Sequence, residues 1–283
     1  MSVSNSSSHD ISLQKPSGQP PELPPMDEYG NLLPQLLSAP RSGSAGWGVS
    51  WITNALSIFK DHFLLWIGIG TVYLIIMAIA SAIPFLNLVF SLLSFVFVGG
   101  IIKGADAQAT GKALRFDHLF SAFSTHLWPL IVLLLLYVIE LIIIFVLIIF
   151  IFFIGMYLLN GMPSADDMVL ASEQMTNGTI ATLLLTLLFT MILLFPLMMA
   201  IWFAPALIVL HNIRPTEAMK MSLDGSLKNI WPLSIFFLVG PILALLGALF
   251  TLGLAVLVLV PIGMITYYTS YRDVWTDQPL SDV

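Results

Sequence analysis

No cysteine occurs in this chain of 283 residues, and charge is scarce: charged residues make up 9% of it, with Lys and Arg together numbering ten. The first absence excludes disulfides, thiolate metal sites and thiol catalysis. The second excludes an ordinary soluble domain, in which charged residues are roughly a quarter of the sequence. Ten dispersed bases also form no basic patch, so no nucleic-acid partner is expected. There is no G-x-S-x-G, no P-loop, no dinucleotide fingerprint and no HExxH. Accordingly no catalytic residue, cofactor or metal site is expected, and the chain reads as a non-enzyme.

What is present is apolar length. Hydrophobic residues are 58% of the chain. No charge of either sign falls in Phe63–Ile102, Met175–Ile213 or Asn229–Tyr271, and Leu127–Asn160 admits only Glu140. Bilayer hydrocarbon is about 30 Å thick and takes ~20 apolar residues of helix to cross. Runs of this length imply an all-α integral membrane protein. The net charge of −6 says little, because 9 of the 16 acids lie in the tails or in the loop Gly161–Gly178.

Residues 1–45 are a different material. A serine tract, Ser4–Ser8, precedes Pro16, Pro20, Pro21, Pro24, Pro25, Pro34 and Pro40. Such a segment cannot repay its ordering entropy by burial and is expected to be a disordered cytoplasmic tether. It lacks the basic and apolar regions of a cleavable signal peptide. Residues 46–275 form the membrane domain, and 276–283 a short C-terminal tail.

The bases set the threading. Expected spans are residues 63–83, 85–102, 127–159, 180–210, 231–250 and 252–270, six helices in three hairpins. Lys15, Arg41 and Lys60 precede the first pair. Lys103, Lys112 and Arg115 lie between the first and second pairs, Arg214, Lys220 and Lys228 between the second and third, and Arg272 follows the last. All ten then fall on one side, which the positive-inside rule makes the cytoplasm, with both termini there. A re-entrant hairpin returns its ends to the same side, so four spans with a re-entrant third pair is the alternative.

The segments leading into the pairs resemble one another. Ala55–His62 precedes Phe63-Leu-Leu-Trp66, Leu119–His126 precedes Leu127-Trp-Pro-Leu130, and Ser222–Asn229 precedes Ile230-Trp-Pro-Leu233. Trp47, Trp51, Ile52, Ala55, Leu56 and Phe59 recur at helical spacing; so do Leu119, Phe120 and Phe123, and Met219, Leu223 and Leu227. Each set reads as an amphipathic helix in the cytoplasmic interface, ended by a His or Asn that tolerates a helix-terminating backbone. In the last two segments Trp marks the headgroup level and Pro129 or Pro232 opens the next helix.

Phe203-Ala-Pro205, Ala218, Ser222 and Asn229-Ile-Trp231 resemble a pattern in a family of uncharacterised bacterial inner-membrane proteins. That family looks distantly similar to the membrane domain attached to some glycerophosphoryl diester phosphodiesterases. Gly46-Trp47, Leu56, Phe59, Trp66 and Tyr271-Arg272-Asp273 fit it too, so the resemblance covers roughly Gly46 to Trp275. It implies a polytopic helical fold in the bacterial cytoplasmic membrane and no established activity. Nothing here corresponds to the soluble domain that carries phosphodiesterase chemistry.

Glu140 is the sharpest single residue. It lies ~20 Å along its helix, where a carboxylate costs ~2.5 kcal/mol or more, and should face the bundle interior to meet Thr182, Thr186 or Thr190. Pro196, Pro205, Pro241 and Pro261 interrupt helices, as in transporters, but proline is frequent in membrane helices and these read first as structural kinks. Gly100 and Gly104 mark close packing. His62, His118, His126 and His211 read as interfacial polar anchors. Trp47, Trp51, Lys60, Lys112, Arg115 and Lys228 are the candidates for contact with anionic lipid headgroups. The expected role is lipid binding or organisation of membrane-protein partners; a small transporter or channel using Glu140 and the proline-broken helices is the alternative.

Overall fold

The computed structural model describes residues 26, 30, 32–161 and 177–281. It divides into two units, residues 1–33 and 34–283. In the first, Met26 and Leu32 form an isolated antiparallel bridge, with Gly30 between them at φ 84°. The serine tract and the prolines from Pro16 to Pro25 lie outside the described residues, as does most of the polar loop after Gly161.

The second unit is helical, and no strand occurs among the described residues. Its helices are α1 (Trp47–Asp61), α2 (Phe63–Ser81), α3 (Pro84–Ala109), α4 (Ser121–Thr125) and α5 (Leu127–Asn160), followed by α6 (Asn177–Trp202), α7 (Ala204–His211), α8 (Pro215–Lys228), α9 (Ile230–Phe250) and α10 (Val256–Trp275). A 3-10 turn, Phe116–Phe120, leads into α4. Proline opens α3 and α8, where a missing N–H leaves no bond unmade. Asn212 closes α7 in the left-handed conformation at φ 55°, a geometry Asn adopts more readily than most residues.

Four stretches are long and apolar enough to cross a membrane: Phe63–Ser81, Leu127–Leu159, Asn177–His211 and Ile230–Phe250. The bent α3 makes a fifth if Phe85–Ser91 and Leu93–Ala109, 41° apart, count as one span. The sixth expected span falls in α10, whose second half carries Thr266, Tyr267, Tyr268, Thr269, Ser270, Tyr271, Arg272 and Asp273. All of these but the half-buried Tyr267 are packed inside the protein, so α10 is a core helix over that half.

The core gathers at one end of the helices. Trp51, Trp66, Phe97, Phe203, Tyr268, Tyr271 and Trp275 are its largest fully buried side chains. α10 packs on α1, α2 and α3, while α8 lies across α6, α7 and α5. α3 can approach the 3-10 turn closely because Gly100 has no side chain; a Cβ there would lie 2.5 Å from the carbonyl oxygens of His118 and Leu119.

The segment just before α1 and the one just after α10 both join this core. Leu37 N–H donates to the Trp275 carbonyl at 2.9 Å and Arg41 N–H to the Val274 carbonyl at 2.8 Å, while Asp277 Oδ1 accepts from Gln35 N–H at 2.7 Å. The compact unit that begins at Pro34 thus takes in the segment before α1 as well as residues 276–281.

Candidate membrane-interface site

Three chain junctions share one local geometry. His62 (φ −133°, ψ 44°), His126 (φ −133°, ψ 21°) and Asn229 (φ −117°, ψ 35°) each separate a short helix from a long apolar one. Each also caps the helix that follows: the His62 carbonyl accepts from Trp66 N–H, that of His126 from Leu130 N–H and that of Asn229 from Leu233 N–H, at 3.0, 3.1 and 3.0 Å. Just past two of these junctions Trp128 and Trp231 stand 73% and 72% exposed. At the first junction Phe63 and Leu64 take that outward place, and Trp66 turns inward to donate to Gln108 Oε1 at 2.9 Å.

The lead-in segments differ from the expected amphipathic helices. Trp47, Trp51, Ala55 and Phe59 do line one face of α1, but that face is buried by α9 and α10. Trp47 and Trp51 are therefore core residues and not lipid-surface residues, because protein rather than lipid covers the apolar stripe. The second segment is a 3-10 turn plus one helical turn. In α8 the buried face is Ala218, Met219, Ser222, Gly225 and Ser226, whereas Leu227 is exposed; Ser222 and Ser226 meet the end of α6, and Gly225 lies against the Trp275 ring.

Lys60, Lys112, Arg115 and Lys228 are exposed. They stand at the ends of separate elements: α1, the loop before the 3-10 turn, and α8. Arg115 Nη2 pairs with Asp117 Oδ2 at 2.7 Å, and Lys228 Nζ donates to the Pro40 carbonyl at 3.3 Å.

Glu140 departs most from expectation. Its side chain is exposed on the outside of α5. The hydroxyls of Thr182 and Thr190 donate to the carbonyls of Gly178 and Thr186, four residues back on their own helix, and the buried Thr186 hydroxyl has no partner among the described residues. The expected bonds from Glu140 to these hydroxyls are absent. α5 is apolar on every side, so its composition carries no facial preference that would turn Glu140 inward.

The motif residues meet at the break between α6 and α7. Phe203 N–H would ordinarily bond the Met199 carbonyl four residues back. Instead the Ser222 hydroxyl stands between them, accepting from Phe203 N–H at 2.9 Å and donating to the Met199 oxygen at 2.7 Å. Ser226 donates to the same carbonyl at 3.0 Å. Pro205 follows at the start of α7, where it needs no donor. Asn229 holds the strap before α1: its amide nitrogen donates to the carbonyls of Arg41 and Gly225, both at 2.8 Å, and its oxygen accepts from Gly43 N–H at 2.9 Å.

Sequence reasoning missed a buried polar network around Tyr271-Arg272-Asp273. Arg272 Nη1 donates to the Tyr268 hydroxyl at 2.7 Å, and the Asp106 carboxylate lies near that hydroxyl. Arg272 Nη2 donates to the Gln278 carbonyl at 2.9 Å. Tyr271 is hydrogen-bonded to His211, and His126 Nε2 pairs with Asn212 Oδ1 at 2.9 Å. Asp273 accepts from the Leu280 and Ser281 backbone N–H groups at 2.5 and 2.9 Å and from the Ser281 hydroxyl. Burial pushes its carboxyl above the ordinary range, with those hydrogen bonds opposing. The Trp51 indole N–H approaches the same carboxylate without meeting hydrogen-bond geometry. The alternation of polar and aromatic residues over Thr266–Trp275 was the one available signal.

A groove of about 700 Å³ runs between the strap Leu36–Pro40 and α8, lined by Met221, Leu227, Glu217, Asp224 and Lys228. Among the described residues no three His, Asp or Glu side chains gather as metal ligands would. The fold and this surface define a helical protein with several helices able to cross a membrane. No protein family, curated protein or solved structure matches the chain.

Proposed function

We propose that this chain is a multi-pass, non-enzymatic protein of the bacterial cytoplasmic membrane that binds lipid at its cytoplasmic face and organises membrane-protein partners. In this reading six spans form three hairpins, each entered through an interfacial segment, and both termini are cytoplasmic. The observation that carries it is the repeated junction. Trp128 and Trp231 project outward one residue beyond the start of α5 and α9, Trp231 three residues after the exposed Lys228, and an indole with an apolar body and a polar N–H suits the headgroup level. Resemblance to the uncharacterised inner-membrane family supports the compartment.

The transporter alternative draws less support. Glu140 lies on the outside of α5 rather than along an internal path, and the backbone groups at the α6–α7 break are bonded by Ser222 and Ser226. Lipids co-purifying with the protein, identified by mass spectrometry, test the proposal. Anionic phospholipid should be retained reproducibly and be depleted in Trp128→Ala/Trp231→Ala; retention of none would overturn it. Proton- or ion-coupled flux that Glu140→Gln abolishes would favour the transporter. Since the chain has no cysteine, single cysteines at Lys60, Lys112 and Lys228 should label only from the cytoplasmic side.

A further inference from the structure

The turn between α9 and α10 is apolar and bonds its own donors. From Pro241 to Ile265 the one polar side chain is Thr251. Its hydroxyl donates to the Gly247 carbonyl and accepts from Ala255 N–H, both at 2.8 Å. The backbone N–H groups stay inside the turn as well. Thr251 N–H donates to the Gly247 carbonyl, Leu252 to Leu249, Gly253 to Ala248 and Leu254 to Thr251, while Val256 and Leu257 donate to Gly253 and Leu254. The Phe250 and Leu252 carbonyls receive no bond from the described residues, and an under-satisfied carbonyl is tolerated more readily than an orphaned N–H. Water satisfies such groups for any exposed turn, but hydrocarbon does not, so a turn embedded in lipid has to bond its donors internally.

Side chains and length agree with that. Phe250, Leu252 and Leu254 are 82%, 95% and 71% exposed, so the chain leaves the tip uncovered. Leu252 takes the left-handed backbone at φ 51°, which crowds its Cβ; turns in water give that place to Gly, Asn or Asp. The 21 residues of α9 rise about 31 Å, against about 30 Å of hydrocarbon and about 40–45 Å with both headgroup layers. Starting from Trp231 at the near headgroups, α9 ends short of the far ones, and any tilt shortens its reach further. α5 is the contrast: its 34 residues rise about 51 Å, and Asp166, Asp167 and Glu173 follow it.

We propose that the α9–α10 turn is a lipid contact, with Phe250, Leu252 and Leu254 lodged among the acyl chains of the leaflet away from the cytoplasm. The partner is hydrocarbon rather than a protein groove. A groove specific for this tip would need polar contacts to fix its orientation, and the turn has no free N–H or hydroxyl to offer one. The inference rests on the reading that α9 and α10 enter the membrane. It refines where the third hairpin ends: inside the far leaflet, not in the water beyond it.

Single cysteines in the otherwise cysteine-free chain test it: Leu252→Cys and Leu254→Cys at the tip, with Ser172→Cys and Lys60→Cys as references for the two aqueous sides. A membrane-impermeant maleimide should label Ser172→Cys in spheroplasts and Lys60→Cys in inverted vesicles, and should label neither tip position in either preparation. A nitroxide at Leu252→Cys, in vesicles of phosphatidylethanolamine and phosphatidylglycerol, should then collide more often with oxygen than with a water-soluble nickel chelate. Labelling of either tip cysteine from either side, or a nitroxide reached mainly by the chelate, overturns the embedded turn. A nitroxide reached by neither means that protein covers the tip, which overturns the lipid contact. Failure of Ser172→Cys to label in spheroplasts while Lys60→Cys labels there refutes the membrane reading itself; tip labelling with both references in place refutes the embedded turn alone.

Discussion

Ser222 donates its hydroxyl hydrogen to the Met199 carbonyl at 2.7 Å, occupying the position that the Phe203 N–H would hold in an unbroken helix. The same hydroxyl accepts from that displaced N–H, so one side chain satisfies both groups freed by the turn between α6 and α7. Ser222→Ala should therefore leave a buried donor unpaired and lower stability by about 1–3 kcal/mol. Ser226→Ala removes only the second donor to a carbonyl that keeps its first, and should lower it by under about 1 kcal/mol. Thermal unfolding followed by tryptophan fluorescence measures both, and equal losses would contradict the bridging role.

Gly100 and Gly104 offer a similar contrast. A methyl group at Gly100 meets the backbone carbonyls of His118 and Leu119, which cannot move without shifting the 3-10 turn. At Gly104 the nearest atoms are side-chain carbons of His118 and Leu114, 3.2 Å away. Gly100→Ala should cost roughly 1–3 kcal/mol by overpacking, and Gly104→Ala much less. Comparable melting temperatures for the two variants would place the close approach elsewhere.

The long apolar runs were legible because length and composition alone decide them. Residues 63–83 and 231–250 were expected as helices, and the structure has Phe63–Ser81 and Ile230–Phe250. The junctions at His62, His126 and Asn229 were legible as helix ends too, though their φ of −133°, −133° and −117° is not the left-handed backbone that favours Asn or His. What covers an apolar face was not. Spacing marks Trp47 and Trp51 as one stripe, and the same stripe can meet lipid or protein; here α9 and α10 cover it. Glu140 was misplaced because a uniformly apolar helix has no side that hydropathy can choose. The role of Ser222 depends on a helix break nineteen positions earlier in the chain, a relation no local pattern encodes.

The two classes of tryptophan should respond differently to truncation. Trp51 is fully buried, so Trp51→Ala should destabilise the fold by about 3–5 kcal/mol. Trp128 is 73% exposed, and Trp128→Ala should leave the melting temperature in detergent within a degree or two of the parent. Its effect should appear instead in the quantity of phospholipid that co-purifies. A large stability loss for Trp128→Ala would mean that it packs against protein.

Asp273 should make stability depend on pH in a defined direction. Its folded carboxyl holds the proton more tightly than an unfolded one, because burial outweighs the bonds from Leu280 and Ser281. Across the interval between the two values the folded chain binds more protons than the unfolded chain, so stability falls as pH rises through it. The interval opens near the ordinary carboxylate range, at about pH 4. Asp273→Asn cannot titrate, and its amide oxygen can still accept from the Leu280 and Ser281 N–H groups. The melting temperature of the parent minus that of Asp273→Asn should therefore decline from pH 4 upward, then level off once the folded carboxyl is ionised. A difference that instead grew with pH would mean that hydrogen bonding, not burial, dominates at Asp273, and that the C-terminal turn is held by an ionised carboxylate throughout.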